Sequence, residues 1–344
     1  MSFPELHLSK PGVVFPSTRV DNAETIRRVR ACFKGTDAEF IKVEAAIQHV
    51  FGLCKTQVRY LEADVQPGAV ADYAVAAAQR CLEVNGVALD EVDLVIGGGI
   101  ARQYFEPANA MEVAGKLGLE RTHAFDVTAA CVGHMEAIQV AAAYLNLHRN
   151  YRTALIFTSE LSGNFLSYDI QTVRDLQTKT AGLTVGNAAA CVLLRRRPFP
   201  GGSIRLRGID TFTAPDHWHL CQVPIHGTLS SSSVELMRLG KYIPPWVKDR
   251  LAALGVQPAE VDHYVFHQPS EIMLRKIFDD LGVDQARGVY THALYGNTAS
   301  ASIAVTYNQL LHERTLRAGD KIALGSAAAG YSMVFGMGEW VAAQ

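Results

Sequence analysis

The second half of this chain repeats the first, and that repeat limits the possible folds more than any other feature. LDEVDLVIGG at 89–98 has a counterpart in PAEVDHYVFH at 258–267. Each is followed by a helical stretch ending in Leu-Gly, at Leu117-Gly118 and Leu281-Gly282, and then by a short strand, HAFDV (123–127) or GVYTH (288–292). A small-residue turn and an Ala-rich helix come next, with Ile138 matched to Ile303. NYRTALIFTS (150–159) closes the first unit as GDKIALGSAA (319–328) closes the second. The four elements recur in one order at offsets of about 164 to 169 residues, a period far too long for a solenoid. The chain reads as two fused βαβαβ-like halves, 1–195 and 196–344, divided at the breaker-rich RRRPFPGGS.

Short apolar strands alternating with helices predict an α/β fold of mostly parallel sheets covered by helices. Two segments fall outside the repeat, a helical region around Ala38 to Phe51 and a polar stretch containing Ser230 to Ser233. The serine run reads as a flexible loop, although inserted segments often cap a site.

Bulk chemistry excludes several classes. Of 344 residues 49% are hydrophobic and 19% charged, and the net charge of -2 gives no basic field for nucleic acid. Arg195, Arg196 and Arg197 read as a solvated strand exit. No apolar run reaches membrane-spanning length, and MSFPELHLSK has no secretory pattern, so a cytoplasmic protein is expected. Six cysteines without a CxxC pair argue against a disulfide framework or structural zinc. His217, His219, Cys221 and His226 are the densest metal-type group. An HxH on a strand would place two imidazoles on one face, but no carboxylate or second thiol has ligand spacing. Trp218 and Pro224 fit a packed lobe better, and no metal is expected.

Open α/β sheets bind ligands at the carboxyl ends of their strands. Cys131, in FDVTAACVGHMEAI, follows such a strand and precedes a helix striped by Met135, Ile138, Ala142 and Leu145. Free cysteines are mostly buried hydrophobes. A helix N-terminus, however, favours thiolate and predicts a lowered pKa. His267 ends the strand of HYVFHQPS, before a helix that Ser270 could cap, and replaces Gly98 of the first copy. Asn297, in ALYGNTASASI, lies in the turn equivalent to that of Cys131, although Gly-Asn is also an ordinary turn pair. Thiol, imidazole and amide converging here suit acyl-thioester chemistry.

At these residues the sequence resembles the thiolase superfamily, and most closely ketoacyl synthase III. The motifs are FDVTAACVG, VFHQPS, YGNTASAS and GSAAAGYSMVFG. The resemblance implies a five-layered αβαβα thiolase fold and a homodimer. It implies acyl-CoA or acyl-carrier-protein thioesters as substrates, and no cofactor. Cys131 would be acylated, and a malonyl-type or β-ketoacyl thioester would supply a carbanion stabilised by His267 and Asn297. The oxyanion hole would use the N–H groups of Cys131 and Gly330, with Ser270 and Arg275 near the pantetheine arm or carrier.

This chain departs from the family pattern at several points. Ala46 and Val50 stand where the family holds the coenzyme A adenine, and Ile272 stands where a carrier-docking base is usual. Ala327-Ala328-Ala329-Gly330 replaces a triple glycine, and Leu166 to Lys179 is long. These departures point to a specialised polyketide, quinolone or fatty-acid-related pathway. Two alternatives are acyl transfer from Cys131 to an oxygen or nitrogen nucleophile, and a non-catalytic subunit of a heteromeric condensing enzyme. Asn297 favours condensation, since decarboxylation needs two donors at the enolate oxygen.

Overall fold

In the computed structural model, which describes residues 3–62 and 64–343, ten strands share one sheet. They are β1 (His7–Leu8), β2 (Gly12–Val14), β3 (Val92–Gly98), β4 (His123–Val127), β5 (Thr153–Glu160), β6 (Ala188–Arg195), β7 (Ser203–Thr213), β8 (His263–Phe266), β9 (Lys321–Ala328) and β10 (Ser332–Val341). Their order is β8-β9-β10-β7-β1-β6-β5-β3-β4, with β2 beside β6. β1 bonds to both β6 and β7 and so joins the two halves, while Arg196 to Gly202 connects them along the chain.

The sheet is mixed rather than mostly parallel. β3 runs parallel to β4 and β5, and β8 to β9, but the pairs nearer the junction are antiparallel. Only Ala329, Gly330 and Tyr331 separate β9 from β10, too short a link for a parallel return. The expected strand GVYTH is also missing, reduced to a single bridge from Gly288 to Tyr264. Side chains take the place of a ladder there, because the Arg314 guanidinium donates to Gly288 O and the Gln268 amide to Val289 O.

Three apolar cores produce the five layers. The helices Gly133–Leu147 and Ser302–Glu313 lie between the sheet halves, burying Ile138, Leu145, Ile303 and Leu310 against Leu94, Ile96 and Leu324. Helices Ala69–Asn85 and Asn109–Leu117 cover the outer face of the first half. Helices Ile243–Ala253 and Glu271–Leu281 cover that of the second. The layering is therefore αβαβα.

Outside the repeat, the helix Asp37–Cys54 is closed by a capping box of Thr36 and Glu39. Its Phe40, Val43 and Ile47 pack on Ile170 and Leu176, so the long segment Leu166 to Lys179 folds over this helix. The serine run is not a flexible loop, because Ser230–Ser231 pairs antiparallel with Cys221–Gln222 and Ser231 is buried. The arginine cluster is not simply solvated either. Arg196 donates to the carbonyls of Leu145, His148 and Tyr151 and so closes the end of the helix Gly133–Leu147.

His134 is the second residue of that helix, at 1% exposure, and neither ring nitrogen has a hydrogen-bond partner among the described residues. One nitrogen approaches Ile156 O without reaching bonding geometry, and burial pulls the pKa down from 6.5 to about 4. In that window the unfolded chain binds a proton that the fold excludes, so stability is complete above pH 6.5 and falls as pH drops towards 4. The loss amounts to about 3 kcal/mol at full protonation. In His134→Phe, the urea midpoint should fall less between pH 7 and pH 4.5 than in the parent. An unchanged difference would mean that His134 takes no part in the acid sensitivity.

Candidate active site

Cys131 occupies a short 3-10 turn, Ala130–Val132, between β4 and its helix. Ala130 has φ 48°, a left-handed conformation that costs an alanine about 1 kcal/mol. Ala299 repeats that φ of 48° in the turn Ala299–Ala301, ahead of the helix Ser302–Glu313. The shared backbone aligns Cys131 with Ser300. One identical spacing also pairs Gly98 with His267 and Glu160 with Ala329. Asn297 therefore lies three residues before the true equivalent of Cys131. The two turns pack against each other, so the repeat symmetry brings both helix starts to one place.

The N–H groups of Cys131 and Ala329 lie near enough to the Cys131 sulfur to favour its thiolate. In the turn after β9 the N–H near that sulfur is that of Ala329, and Gly330 follows it at φ 78° and shapes the turn. The Ser326 hydroxyl fixes the peptide by donating to Cys131 O at 3.1 Å. The thiol is not in the depressed state expected of a helix N-terminus. Burial pushes its pKa well up, nearby Cys221 and Glu160 push it further, and the two N–H groups offset only part of this.

His267 follows β8, its N–H bonded to Gly325 O at 2.8 Å. Nδ1 lies 2.9 Å from Ala327 O and Nε2 lies 3.0 Å from Asn297 Oδ1. Ala299 N–H donates to the same Oδ1 at 3.0 Å, which identifies that atom as the amide oxygen and leaves Nδ2 free as a donor. Both imidazole nitrogens therefore face acceptors, an arrangement that favours the imidazolium. Burial outweighs it and lowers the pKa. At rest the pair is a neutral thiol and a neutral imidazole whose protonated form already has two acceptors waiting. The Asn297 backbone is locked as well, N–H to Thr184 O at 2.9 Å and C=O from Gly186 N–H at 3.0 Å.

Sequence reasoning missed Glu160, at the end of β5 and 2% exposed. Its carboxylate accepts from Ser300 Oγ, from Ile100 N–H at 3.0 Å and from Ala101 N–H at 3.3 Å. The signal was present in TALIFTSE, a fully buried strand that ends in an acid.

The remaining candidates lie farther out. Ser270 is buried at the start of the helix Glu271–Leu281 but makes no side-chain cap. Arg275 is held on its own helix by Glu271 at 2.8 Å and stacks over Tyr290 at 4.3 Å. Ile272 is exposed. His217 and His219 lie in a 3-10 helix, Pro215–Leu220, so strand alternation does not bring them together. Trp218 is 62% exposed and not packed in a lobe. Among the described residues no group of three metal-type side chains converges. A small apolar cleft lined by Trp246, Phe266, Met273, Ile277 and Phe335 reaches the edge of His267.

A thiol and an imidazole that both meet the end of β9, with an anchored amide at the imidazole, within a duplicated αβαβα frame, define a condensing enzyme of the thiolase type. Models of 3-oxoacyl-[acyl-carrier-protein] synthase III match residues 125–208, and its C-terminal region 251–340, together just over half of the chain. The chain belongs to that family. It is 28% identical over 332 residues to beta-ketoacyl-[acyl-carrier-protein] synthase III of Rhodospirillum rubrum, covering 93% of this chain and 95% of the relative. It is 26% identical over 302 residues to the acetoacetyl CoA synthase NphT7 of a Streptomyces species, covering 83% and 88%. OleA of Xanthomonas campestris superimposes with a TM-score of 0.86 at 23% identity, and FabH of Pseudomonas aeruginosa with 0.82 at 21%, each covering 99% of both chains.

Proposed function

We propose that Cys131 accepts an acyl group from a coenzyme A or carrier-protein thioester and then passes it to a carbanion formed by decarboxylation of a malonyl-type thioester. The observation that carries this is the anchored Asn297 amide beside His267 Nε2. It leaves Asn297 Nδ2 without a partner, and a protonated Nε2, shared with Asn297 Oδ1, supplies the second N–H donor for one enolate oxygen.

In the first half-reaction the Cys131 proton passes to His267, whose imidazolium has Ala327 O and Asn297 Oδ1 as acceptors. The thiolate attacks the donor carbonyl, and the N–H groups of Cys131 and Ala329 hold the oxyanion. The donor leaves as a thiolate that solvent protonates, so His267 keeps the Cys131 proton on Nε2. In the second, carbon dioxide departs from the extender, His267 Nε2–H and Asn297 Nδ2–H stabilise the enolate, its carbon displaces the Cys131 thiolate from the acyl carbon, and that thiolate takes the proton back from His267. The thioester carries the activation, so no cofactor takes part. Arg275 is committed to Glu271 and Ile272 is apolar, which supports carrier recognition different from that of basic docking helices.

A homodimer completes the reading. β4 is an edge strand with one side unpaired, and Phe105, Met111 and Leu147 are exposed apolar side chains in the same half of the chain. Such an edge is ordinarily covered. No helix among the described residues is long and apolar enough to cross a membrane, which is compatible with a cytoplasmic enzyme.

The test is intact-protein mass spectrometry with a panel of acyl-coenzyme A and acyl-carrier-protein donors, followed by malonyl-coenzyme A with carbon dioxide detection. One donor should add its acyl mass to Cys131, and the extender should remove it with stoichiometric carbon dioxide. Transfer to an alcohol or amine without carbon dioxide would establish the acyltransferase alternative instead.

A further inference from the structure

Glu160 is a buried carboxyl group without a cationic partner among the described residues, placed between the two catalytic turns. Three donors hold it, and they belong to different halves. Ile100 and Ala101 follow β3 of the first half, whereas Ser300 lies in the Asn297 turn of the second. On the first side the contact continues to the nucleophile. Gly99 comes so close to Glu160 that a Cβ there would stand 2.7 Å from Oε1, and a Cβ on Gly133 would stand 2.7 Å from Gly99 N. Gly133 is two residues beyond Cys131. On the second side, Ser300 follows Ala299, whose N–H fixes Asn297 Oδ1. Thr158 Oγ1 also meets the Ser300 hydroxyl.

Repeat symmetry sharpens the observation. Cys131 and Ala329 form the sulfur-to-N–H pair of one turn, and Ser300 and Glu160 occupy the same two positions in the other. In one copy the pair serves the nucleophile, and in the other it is a hydroxyl-to-carboxylate tie. We infer that Glu160 is a positioning residue that fixes the Asn297 turn in register with the Cys131 turn, and that it matters for the enolate half-reaction rather than for acyl loading.

The reason for the split lies in the geometry each step needs. Loading uses the N–H groups of Cys131 and Ala329, which the Ser326 bond to Cys131 O and the β9-β10 hairpin hold independently. Enolate stabilisation needs Asn297 Nδ2 and His267 Nε2 on a single oxygen, and the Asn297 amide is aimed through Ala299, next to Ser300. Misplacement by a fraction of an ångström in such a donor set is costly. The carboxylate also stands among the groups near the Cys131 sulfur, with Cys221. Burial raises the Glu160 pKa, and its charge, present in the alkaline range where the buried thiol titrates, in turn raises that of Cys131; Glu160→Gln keeps the shape and removes that ionisable group.

This inference rests on the assignment of Cys131, His267 and Asn297 to the two half-reactions, and the experiment separates the two ideas. Glu160→Gln and Ser300→Ala are compared with the parent for acyl loading, for carbon dioxide release from malonyl-coenzyme A, and for Cys131 alkylation by iodoacetamide against pH. Both variants should lose about tenfold or more in carbon dioxide release, the lower end of what one misplaced donor costs, while loading stays within about threefold. The alkylation profile of Glu160→Gln should move to lower pH, because a like charge has gone. Equal loss in both half-reactions with a matching fall in Tm would reduce Glu160 to a structural tie and overturn the proposal. So would rates and an alkylation profile unchanged from the parent. If Glu160→Gln does not fold, Ser300→Ala decides by the half-reaction split, since it cuts the same tie from the other side. A parent that neither loads nor decarboxylates would refute the assignment of half-reactions, while the alkylation profile would still test the placement of Glu160.

Discussion

Cys131→Ala is expected to carry no acyl mass with any donor and to lose about 10³-fold or more in condensation, the scale on which removal of a covalent nucleophile acts. The loss is specific to one half of the cycle. His267 and Asn297 are held by Ala327, Ala299, Thr184 and Gly186 and by no atom of the Cys131 side chain. Carbon dioxide release from a malonyl-type thioester should therefore persist in the variant, uncoupled from bond formation. Intact-protein mass and carbon dioxide release, measured together, check both statements. An acyl adduct that survives in Cys131→Ala would move the nucleophile elsewhere, with Cys221 the first place to look because it is near enough to raise the Cys131 pKa.

The internal repeat made most of this fold legible. An offset that recurs through strand, helix and turn is hard to satisfy unless the halves share one backbone. The equal φ values of Ala130 and Ala299 are the atomic form of that constraint. His267 was found because it breaks the repeat at Gly98, and Glu160 breaks it in the same way against Ala329. A systematic search for departures would have found both.

What the sequence concealed was of two physical kinds. Hydropathy does not report side-chain substitution for a ladder, and so GVYTH read as a strand although Arg314 and Gln268 had taken over its carbonyls. Nor does spacing distinguish adjacent residues of a turn, such as Ala329 and Gly330. A donor's aim depends on the left-handed backbone at Gly330 and Tyr331, which no propensity encodes. The lowered thiol pKa failed for a related reason. Helix-terminus arguments count N–H groups and omit burial, and here burial is the larger effect.

Asn297→Asp gives the clearest separation between condensation and plain acyl transfer. The aspartate retains an oxygen for Ala299 N–H, so the turn should keep its conformation and Tm should change little. The other oxygen replaces Nδ2, which removes a donor from the enolate site and faces negative charge with negative charge. Loss of one such donor alone costs about 10² to 10³ in rate, and the added charge takes the effect to the upper end. Acyl loading of Cys131 should be nearly unaffected, since its oxyanion donors are backbone groups of other residues. His267→Ala, by contrast, should impair both half-reactions, because the same imidazole accepts the Cys131 proton and later donates to the enolate. The double variant should fall little below the worse single one, as expected for groups acting on one oxygen. An enzyme that transfers acyl groups to oxygen or nitrogen would need His267 as base and have no use for the Nδ2 donor. Asn297→Asp with full turnover beside an inactive His267→Ala would therefore exclude condensation as its reaction.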